Sequence, residues 1–133
     1  MRTLVDHIVP GDSVNHQVEI AVGDDPGAGG AHHVYWINWK AHREVGTAKG
    51  GYTLPQTCLI PFQNGPIKEF GVNGITQEAL LAIIIDRLRC FQAGPFACED
   101  NAVALAQCQS ALHTLQNRTR TRMARGVEGT NEK

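Results

Sequence analysis

Residues 76–130 constrain the fold of this chain more than any other part of the sequence. They contain two stretches with helical periodicity, one ending near residue 92 and one running to about residue 125, separated by Gly94-Pro95. Proline cannot continue a helix and glycine accepts the left-handed conformation, so this pair predicts a tight turn. Helices joined by so short a connection pack antiparallel, and the segment is therefore interpreted as a helical hairpin.

The first predicted helix is apolar over more of its circumference than one partner can cover. Leu80, Ile84 and Leu88 form one stripe at helical spacing, and Leu81 and Ile85 form a second stripe beside it. One stripe is enough for packing within the chain, which leaves the other for a second copy. The sequence therefore predicts a homo-oligomer.

Residues 1–73 differ from the hairpin in composition, because they contain most of the prolines and glycines. Short runs of β-branched and aromatic residues alternate there with turn signals, as strands do. Strands are predicted near residues 4–9, 14–22, 33–40 and 57–62, with a further short one at 67–70 and a mobile excursion over residues 41–52. The fold class is α+β: a small antiparallel sheet over residues 1–73, followed by an antiparallel helical hairpin over residues 74–133 with an arginine-rich end.

Composition limits the classes of partner. The 133 residues fit one domain or one domain with a small appendage, and no apolar run approaches the roughly 20 residues of a membrane span. The net charge of −1 argues against non-specific nucleic-acid binding. No secretory signal is recognisable at the N-terminus and the four cysteines form no CxxC pair, so we expect a cytoplasmic protein with buried, reduced thiols.

An arginine cluster, here Arg118, Arg120, Arg122 and Arg125, ends the second predicted helix. Three of its members fall on one helical face at i, i+4 and i+7, whereas Arg120 points elsewhere. Cations in the last turns of a helix also gain about 0.3–1 kcal/mol each from the helix dipole, which is a purely structural explanation. The functional explanation is that guanidinium groups chelate phosphate oxygens in pairs. Both explanations remain open from the pattern alone.

The hairpin turn carries a second candidate group. Phe91 completes an apolar stripe and so fits a core role, but an aromatic ring beside an amide is also what a purine needs for stacking and hydrogen bonding. Asn101 provides that amide, although it could also serve only the start of the second helix. The histidines at positions 7, 16, 32 and 33 have no diagnostic ligand spacing and are interpreted as polar strand and loop residues, with no metal or cofactor predicted.

The distance between the two groups limits how they can share one ligand. Asn101 and Arg118 are seventeen positions apart on one predicted helix, which places them roughly 25 Å apart at 1.5 Å per residue. One nucleotide-sized ligand cannot contact both within a single chain. If both belong to one site, that site forms where hairpins of two copies meet. No triad or paired carboxylates can be singled out, so the residues indicate a binding protein.

Two motifs resemble a known family. FQAGPFAC-x-x-N at the turn and RT-x-x-R-x-ARGVEGT at the end resemble the helical hairpin of phage immune-evasion proteins, namely the Thoeris anti-defence sponges and the smaller anti-CBASS sponges. The β-rich part preceding the hairpin makes the chain more similar to the Thoeris group. The resemblance carries the family's binding residues onto Phe91, Asn101, Arg118 and Arg122.

The resemblance implies a function as well as a fold. Such proteins sequester cyclic ADP-ribose isomers in the host cytoplasm without cleaving them, and some hold cyclic di- or trinucleotides in separate pockets. They assemble as homo-oligomers from dimers to hexamers. A second anion site in this chain would draw on Arg87, Arg89 and Arg120. The alternative functions are a hydrolase that degrades the same messengers and a small nucleic-acid-binding regulator.

Overall fold

The computed structural model of the chain describes residues 2–45 and 48–133, without the side chains of residues 44–50. It confirms the α+β class, with an antiparallel sheet in the N-terminal part and helices in the C-terminal part. Two compact units form, one ending at Asn64 and one comprising Gly65–Lys133. Residues 65–73, which the sequence pattern places with the β-rich part, group with the helices.

Four strands form the sheet of the first unit, in the order β1-β2-β3-β4 with every neighbour antiparallel. Their bounds are β1 Arg2–Leu4, β2 Glu19–Val22, β3 Val34–Val45 and β4 Ala48–Pro61. Few apolar residues are buried in the described part of this unit. Ala21 and Val22 of β2 are the most enclosed. The edge of the Tyr35 ring also meets the Phe62 ring, with the centroids 5.6 Å apart.

The last two strands extend well past their neighbours. β3 pairs with β4 from Val34 opposite Pro61 to Val45 opposite Ala48, whereas its pairing with β2 ends at Asn38. The distal halves of β3 and β4 therefore form a two-stranded ribbon. The prediction of a mobile excursion over residues 41–52 is wrong for the described residues in that range, and residues 46–47 lie outside them. The segment is rich in glycine and charge and lacks a clear alternation of apolar and polar residues, so its composition does not indicate the strands.

The strands predicted at residues 4–9 and 14–22 are much shorter in the structure. Asp12 accounts for the difference, because its carboxylate accepts hydrogen bonds from the backbone N–H groups of Val9, Val14 and His16 at 2.9, 3.1 and 3.0 Å. The bond from His16 in particular holds the pKa of Asp12 below its ordinary value, although desolvation acts in the opposite direction. This side chain folds the segment into turns and so removes it from the sheet.

Three helices form the second unit: α1 Ile67–Phe70, α2 Gln77–Gln92 and α3 Glu99–Ala124. The predicted short strand at residues 67–70 is wrong, since this segment is the single helical turn α1. Four residues are too few to show a period, and the bounding Pro66 and Gly71 fit a short helix as well as a strand. No helix in the described ranges is long and apolar enough to cross a membrane.

The ends of α2 and α3 follow the predicted signals, with one exception. The Thr76 hydroxyl accepts a hydrogen bond from the Ala79 N–H at 3.2 Å and so caps α2, and Gly126 takes the left-handed conformation (φ +72°) that ends α3. Gly94 does not adopt a left-handed conformation, contrary to expectation. The turn closes instead through the Gly94 N–H, which donates to the Phe91 carbonyl at 3.2 Å.

Packing of α2 against α3 buries only part of the apolar surface. Ile85 is 3% exposed at the contact, whereas Ile83 and Ile84 remain 59% and 44% exposed. Three of the four cysteines, expected to be buried, are also exposed, and all four are free thiols. Contiguous apolar surface of this kind is seldom left open on soluble monomers. The structure therefore leaves an uncovered apolar stripe on α2, made of Ile84 from the first predicted stripe and the neighbouring Ile83.

We expect that no monomer exists at micromolar concentration, because a second copy covers this stripe. Multi-angle light scattering measures the mass directly, and the Ile83→Glu/Ile84→Glu variant should shift it toward smaller species. A wild-type mass near 14.5 kDa would contradict the expectation.

Candidate functional site

Phe91 lies in the last turn of α2 and is accessible in the single chain. Its side chain is 41% exposed, so a fully core role does not describe it. Arg87, one turn earlier, places its guanidinium carbon 5.5 Å from the centroid of the Phe91 ring. A cation over the ring face is attracted by the ring quadrupole and adds positive charge beside the aromatic surface.

Gln92 fixes the turn between α2 and α3. Its side-chain amide donates to the Cys98 carbonyl at 3.1 Å and accepts from the Cys98 N–H at 3.0 Å. One side chain thus satisfies both backbone groups of Cys98 and holds the residue that begins α3. This pair of hydrogen bonds ties the last residue of α2 to the residue that precedes α3 and so closes the turn.

Asn101 is free of the capping role that the sequence left open for it. The Cys98 thiol caps α3 instead, since its Sγ accepts a hydrogen bond from the Asn101 N–H at 3.4 Å. No hydrogen-bond partner of the Asn101 carboxamide is found among the residues that the structure describes. The turn therefore places Phe91 and Asn101 at the same end of the hairpin, with Phe91 exposed and Asn101 half-buried.

The members of the arginine cluster differ in what they contact. Arg118 is exposed, and its guanidinium has no ion-pair or hydrogen-bond partner within residues 2–45 and 48–133. Arg120 donates from Nη1 to the Asn117 side-chain oxygen at 3.0 Å, on another face of α3. Arg118 is thus the member most available to an anion, together with the exposed Arg125 at the end of the helix.

Arg122 is engaged with the chain that follows α3. Its Nη1 donates to the carbonyl of Glu132 at 2.5 Å, and its Nη2 donates to the carbonyls of Val127 and Thr130 at 3.0 and 3.1 Å. A phosphate that bound Arg122 directly would have to compete with these acceptors. The predicted role of Arg122 as a ligand-binding residue stays a prediction.

Helix lengths separate the two candidate groups. Asn101 and Arg118 lie on the unbroken helix α3, so the roughly 25 Å between them is a property of the folded chain. α3 has 26 residues, and the arginine cluster occupies its C-terminal end, opposite the end that carries Asn101. The fold places Phe91 and Asn101 at the turn end of the hairpin and Arg118 at the far end of α3.

A separate groove runs along the contact between α2 and α3. It has a volume of about 380 Å³, with Ile85 and Leu112 among its apolar walls. Its polar lining is Arg89, Gln109, His113 and Gln116. A cationic side chain among amides and an imidazole is a lining that suits an anionic or polar ligand.

The histidines considered as metal ligands serve the loops of the first unit. His32 Nδ1 lies 2.7 Å from the Asp24 carbonyl oxygen and 3.5 Å from the Asp24 carboxylate, and the backbone N–H of His33 donates to that carboxylate at 2.9 Å. The pKa of Asp24 is lowered: burial acts to raise it, but hydrogen bonds from the His33 and Val34 backbone and the neighbouring imidazoles outweigh that effect. Within the described ranges, no group of three or more histidine, cysteine, aspartate or glutamate side chains is placed to hold a metal ion.

Sequence patterns missed three contributors to this end of the hairpin. The contact of Arg87 with Phe91 has an i, i+4 spacing and could have been found from the sequence. The hydrogen bonds of Gln92 could not, because they depend on how the chain reverses after α2. The capping thiol of Cys98 was also hidden, since cysteine is not among the usual capping residues.

Replacement of Gln92 should loosen the turn. Gln92→Ala removes both hydrogen bonds to Cys98, and at roughly 0.5–1.5 kcal/mol each we expect a clear loss of stability. Gln92→Glu keeps the acceptor and loses the donor, so its melting temperature should fall between those of wild type and Gln92→Ala. An unchanged melting temperature for Gln92→Ala would show that the turn does not depend on this side chain.

Two comparisons with known proteins bear on the site. The sequence model of the Acb2/Tad1 hairpin domain matches residues 55–120, a segment that includes Phe91, Asn101 and Arg118 and stops before Arg122. The protein "Thoeris anti-defense 1" of Bacillus phage SBSphiJ7 is 47% identical over 76 residues, which are 57% of this chain and 54% of that protein. The chain thus spans about half the length of the curated relative that it matches.

Proposed function

We propose, from the premise that this chain belongs through residues 55–120 to the Acb2/Tad1 hairpin family, that it is a phage anti-defence protein of the Thoeris group. In this proposal it binds cyclic ADP-ribose isomers in the host cytoplasm and holds them intact. The observation that carries the proposal is the end of the hairpin, where the accessible ring of Phe91 and the unengaged amide of Asn101 lie within the matched segment.

The chemistry of a cyclic ADP-ribose isomer suits these residues. Its adenine can stack on the accessible face of Phe91, with the cation of Arg87 beside the ring. The Asn101 carboxamide has two donors and an acceptor to offer to a base edge or a ribose hydroxyl. These contacts recognise a nucleoside but leave its pyrophosphate without a partner.

Arg118 supplies the missing charge, and it must come from another copy of the chain. Its guanidinium has no partner in the described structure and can form a bidentate pair with phosphate oxygens. Since roughly 25 Å of helix separate it from Asn101, the pyrophosphate of a ligand at the turn reaches only the Arg118 of a second hairpin lying antiparallel to the first. The exposed apolar stripe of α2 provides a surface on which a second copy can pack.

Sequestration fits these residues better than hydrolysis. Phenylalanine and asparagine do not transfer protons near neutral pH, and arginine stays protonated. General acid–base cleavage needs a group whose pKa lies near the working pH. The proposed contacts supply affinity and orientation without such a group, which supports a binding protein over the alternative of a hydrolase.

One retention assay tests the proposal. Protein is incubated with cyclic ADP-ribose isomers, separated from free ligand and denatured, and the released molecule is analysed. We expect intact ligand; a cleaved product would establish a hydrolase, and no retention combined with DNA binding would establish a nucleic-acid regulator.

Arg118→Ala should lose about 2–5 kcal/mol of binding free energy with little change in melting temperature, since it removes a partner of a largely desolvated phosphate. Arg120→Ala is the matched control and should bind as wild type does.

A second anion site is proposed in the groove between α2 and α3. Arg89, His113 and the two glutamines give this groove a lining suited to a cyclic di- or trinucleotide. Arg120 and Arg87 would add charge where copies of the chain meet.

A cyclic trinucleotide should bind protein already saturated with cyclic ADP-ribose. Arg89→Ala should weaken the binding of the trinucleotide, whereas Arg118→Ala should not. Strict competition between the two ligands would show that they share one site.

A further inference from the structure

One side chain of α3, that of Arg122, donates three hydrogen bonds to the chain that follows the helix. Residues 127–132, named here the C-terminal strap, leave the helix at Gly126 and fold back so that the carbonyls of Val127, Thr130 and Glu132 converge on Arg122. The backbone N–H of Val127 in turn donates to the Arg122 carbonyl at 3.0 Å. Arg122 therefore anchors both ends of the strap.

Arginine is the residue type that this arrangement requires. The planar guanidinium offers five N–H donors in a fixed fork, whereas the lysine ammonium is a point charge on a flexible stem. Three carbonyls spread over six residues can meet one guanidinium at the same time. A lysine at position 122 would keep the positive charge and lose most of the fork.

The strap has further contacts that define its place. The Gly129 carbonyl accepts a hydrogen bond from the Lys68 N–H at 3.3 Å, which ties the strap to α1. Within the strap, the Thr130 hydroxyl donates to the Val127 carbonyl at 2.5 Å and accepts from the Glu132 N–H at 3.2 Å. The segment is thus folded in its own right and is not a loose end.

Helical spacing brings the strap close to the proposed anion contact. Arg118 and Arg122 are four residues apart on α3, so their Cβ atoms are neighbours about 5–6 Å apart on one face. A segment that surrounds the Arg122 guanidinium therefore borders the space into which Arg118 can extend. It can restrict the Arg118 side chain and exclude water from a bound phosphate.

We infer that Arg122 is a positioning residue: it does not pair with the ligand, but fixes the C-terminal strap as one wall of the anion site formed by Arg118. This inference rests on the proposed function, since the anion is the pyrophosphate of that ligand. It assigns Arg122 a role different from the phosphate contact that the motif predicts, because three of its five N–H donors, including both on Nη2, already donate to backbone carbonyls.

Hydrogen exchange tests the anchoring without any ligand. The amides of residues 127–132 should exchange faster in both Arg122→Lys and Arg122→Ala than in wild type, and Arg118→Ala should leave them unchanged. Wild-type exchange of the strap in Arg122→Ala would overturn the anchoring role. This readout concerns the strap alone and holds whether or not the proposed function is correct.

Binding of cyclic ADP-ribose tests the positioning role. A direct phosphate partner would be partly rescued by lysine, which keeps the charge, whereas an anchor of three carbonyls would not. We expect Arg122→Lys and Arg122→Ala to weaken binding alike, by about tenfold, corresponding to about 1.4 kcal/mol. A chain ending at Gly126 should show the same loss, and adding Arg122→Ala to it should cost nothing further.

The opposite pattern overturns the inference. Near wild-type affinity of Arg122→Lys beside a weak Arg122→Ala, or an additive loss in the shortened chain, would make Arg122 a direct phosphate partner. Full affinity of the shortened chain would show that the strap is no part of the site. Failure of wild type to bind any cyclic ADP-ribose isomer would overturn the proposed function and the positioning role together, whereas the exchange result would still stand for the anchoring.

Discussion

The reversal of the chain between α2 and α3 is the constraint on which the proposed site depends. Gln92 holds Cys98 by two hydrogen bonds, and Cys98 begins the long helix that carries both Asn101 and the arginine cluster. Because an α-helix is a stiff rod, the distance between those groups is fixed once α3 forms. A nucleoside contact at one end and a charge contact at the other cannot meet on one ligand in one chain, so the proposed site, which uses both, requires a second copy.

The limited burial of apolar side chains also favours association with a second copy. The described part of the chain encloses few apolar side chains, and the stripe of Ile83 and Ile84 on α2 stays open. Small domains already bury a modest fraction of their surface, so an exposed aliphatic face weakens the case for a stable monomer. Association of two hairpins would cover apolar area and complete a ligand site in one step. Stability and binding are then coupled, because the ligand stabilises the assembly that forms its own site.

Local signals allowed much of the helical unit to be predicted from the sequence, whereas the β3–β4 ribbon and the C-terminal strap gave no recognisable local signal. The cap at Thr76, the turn after Phe91 and the stop at Gly126 depend on neighbouring residues, and the structure places them where the pattern does. The β3–β4 ribbon lacks a clear alternation of apolar and polar residues, and the strap around Arg122 depends on three carbonyls that converge only in the folded chain. Phe91, Asn101 and Arg118 could be proposed as site residues from motifs, but the hydrogen bonds of Arg122 to backbone carbonyls arise only in the folded chain.

Mixed oligomers give the most direct test that two copies build one site. Asn101→Ala and Arg118→Ala chains, each expected to bind cyclic ADP-ribose weakly alone, are co-expressed, purified as mixed assemblies by two different tags and titrated with ligand. If one site takes Asn101 from one copy and Arg118 from another, each mixed pair contains one intact site, and a fraction of sites should bind with wild-type affinity. Mixed assemblies that bind no better than either single variant would contradict a shared site.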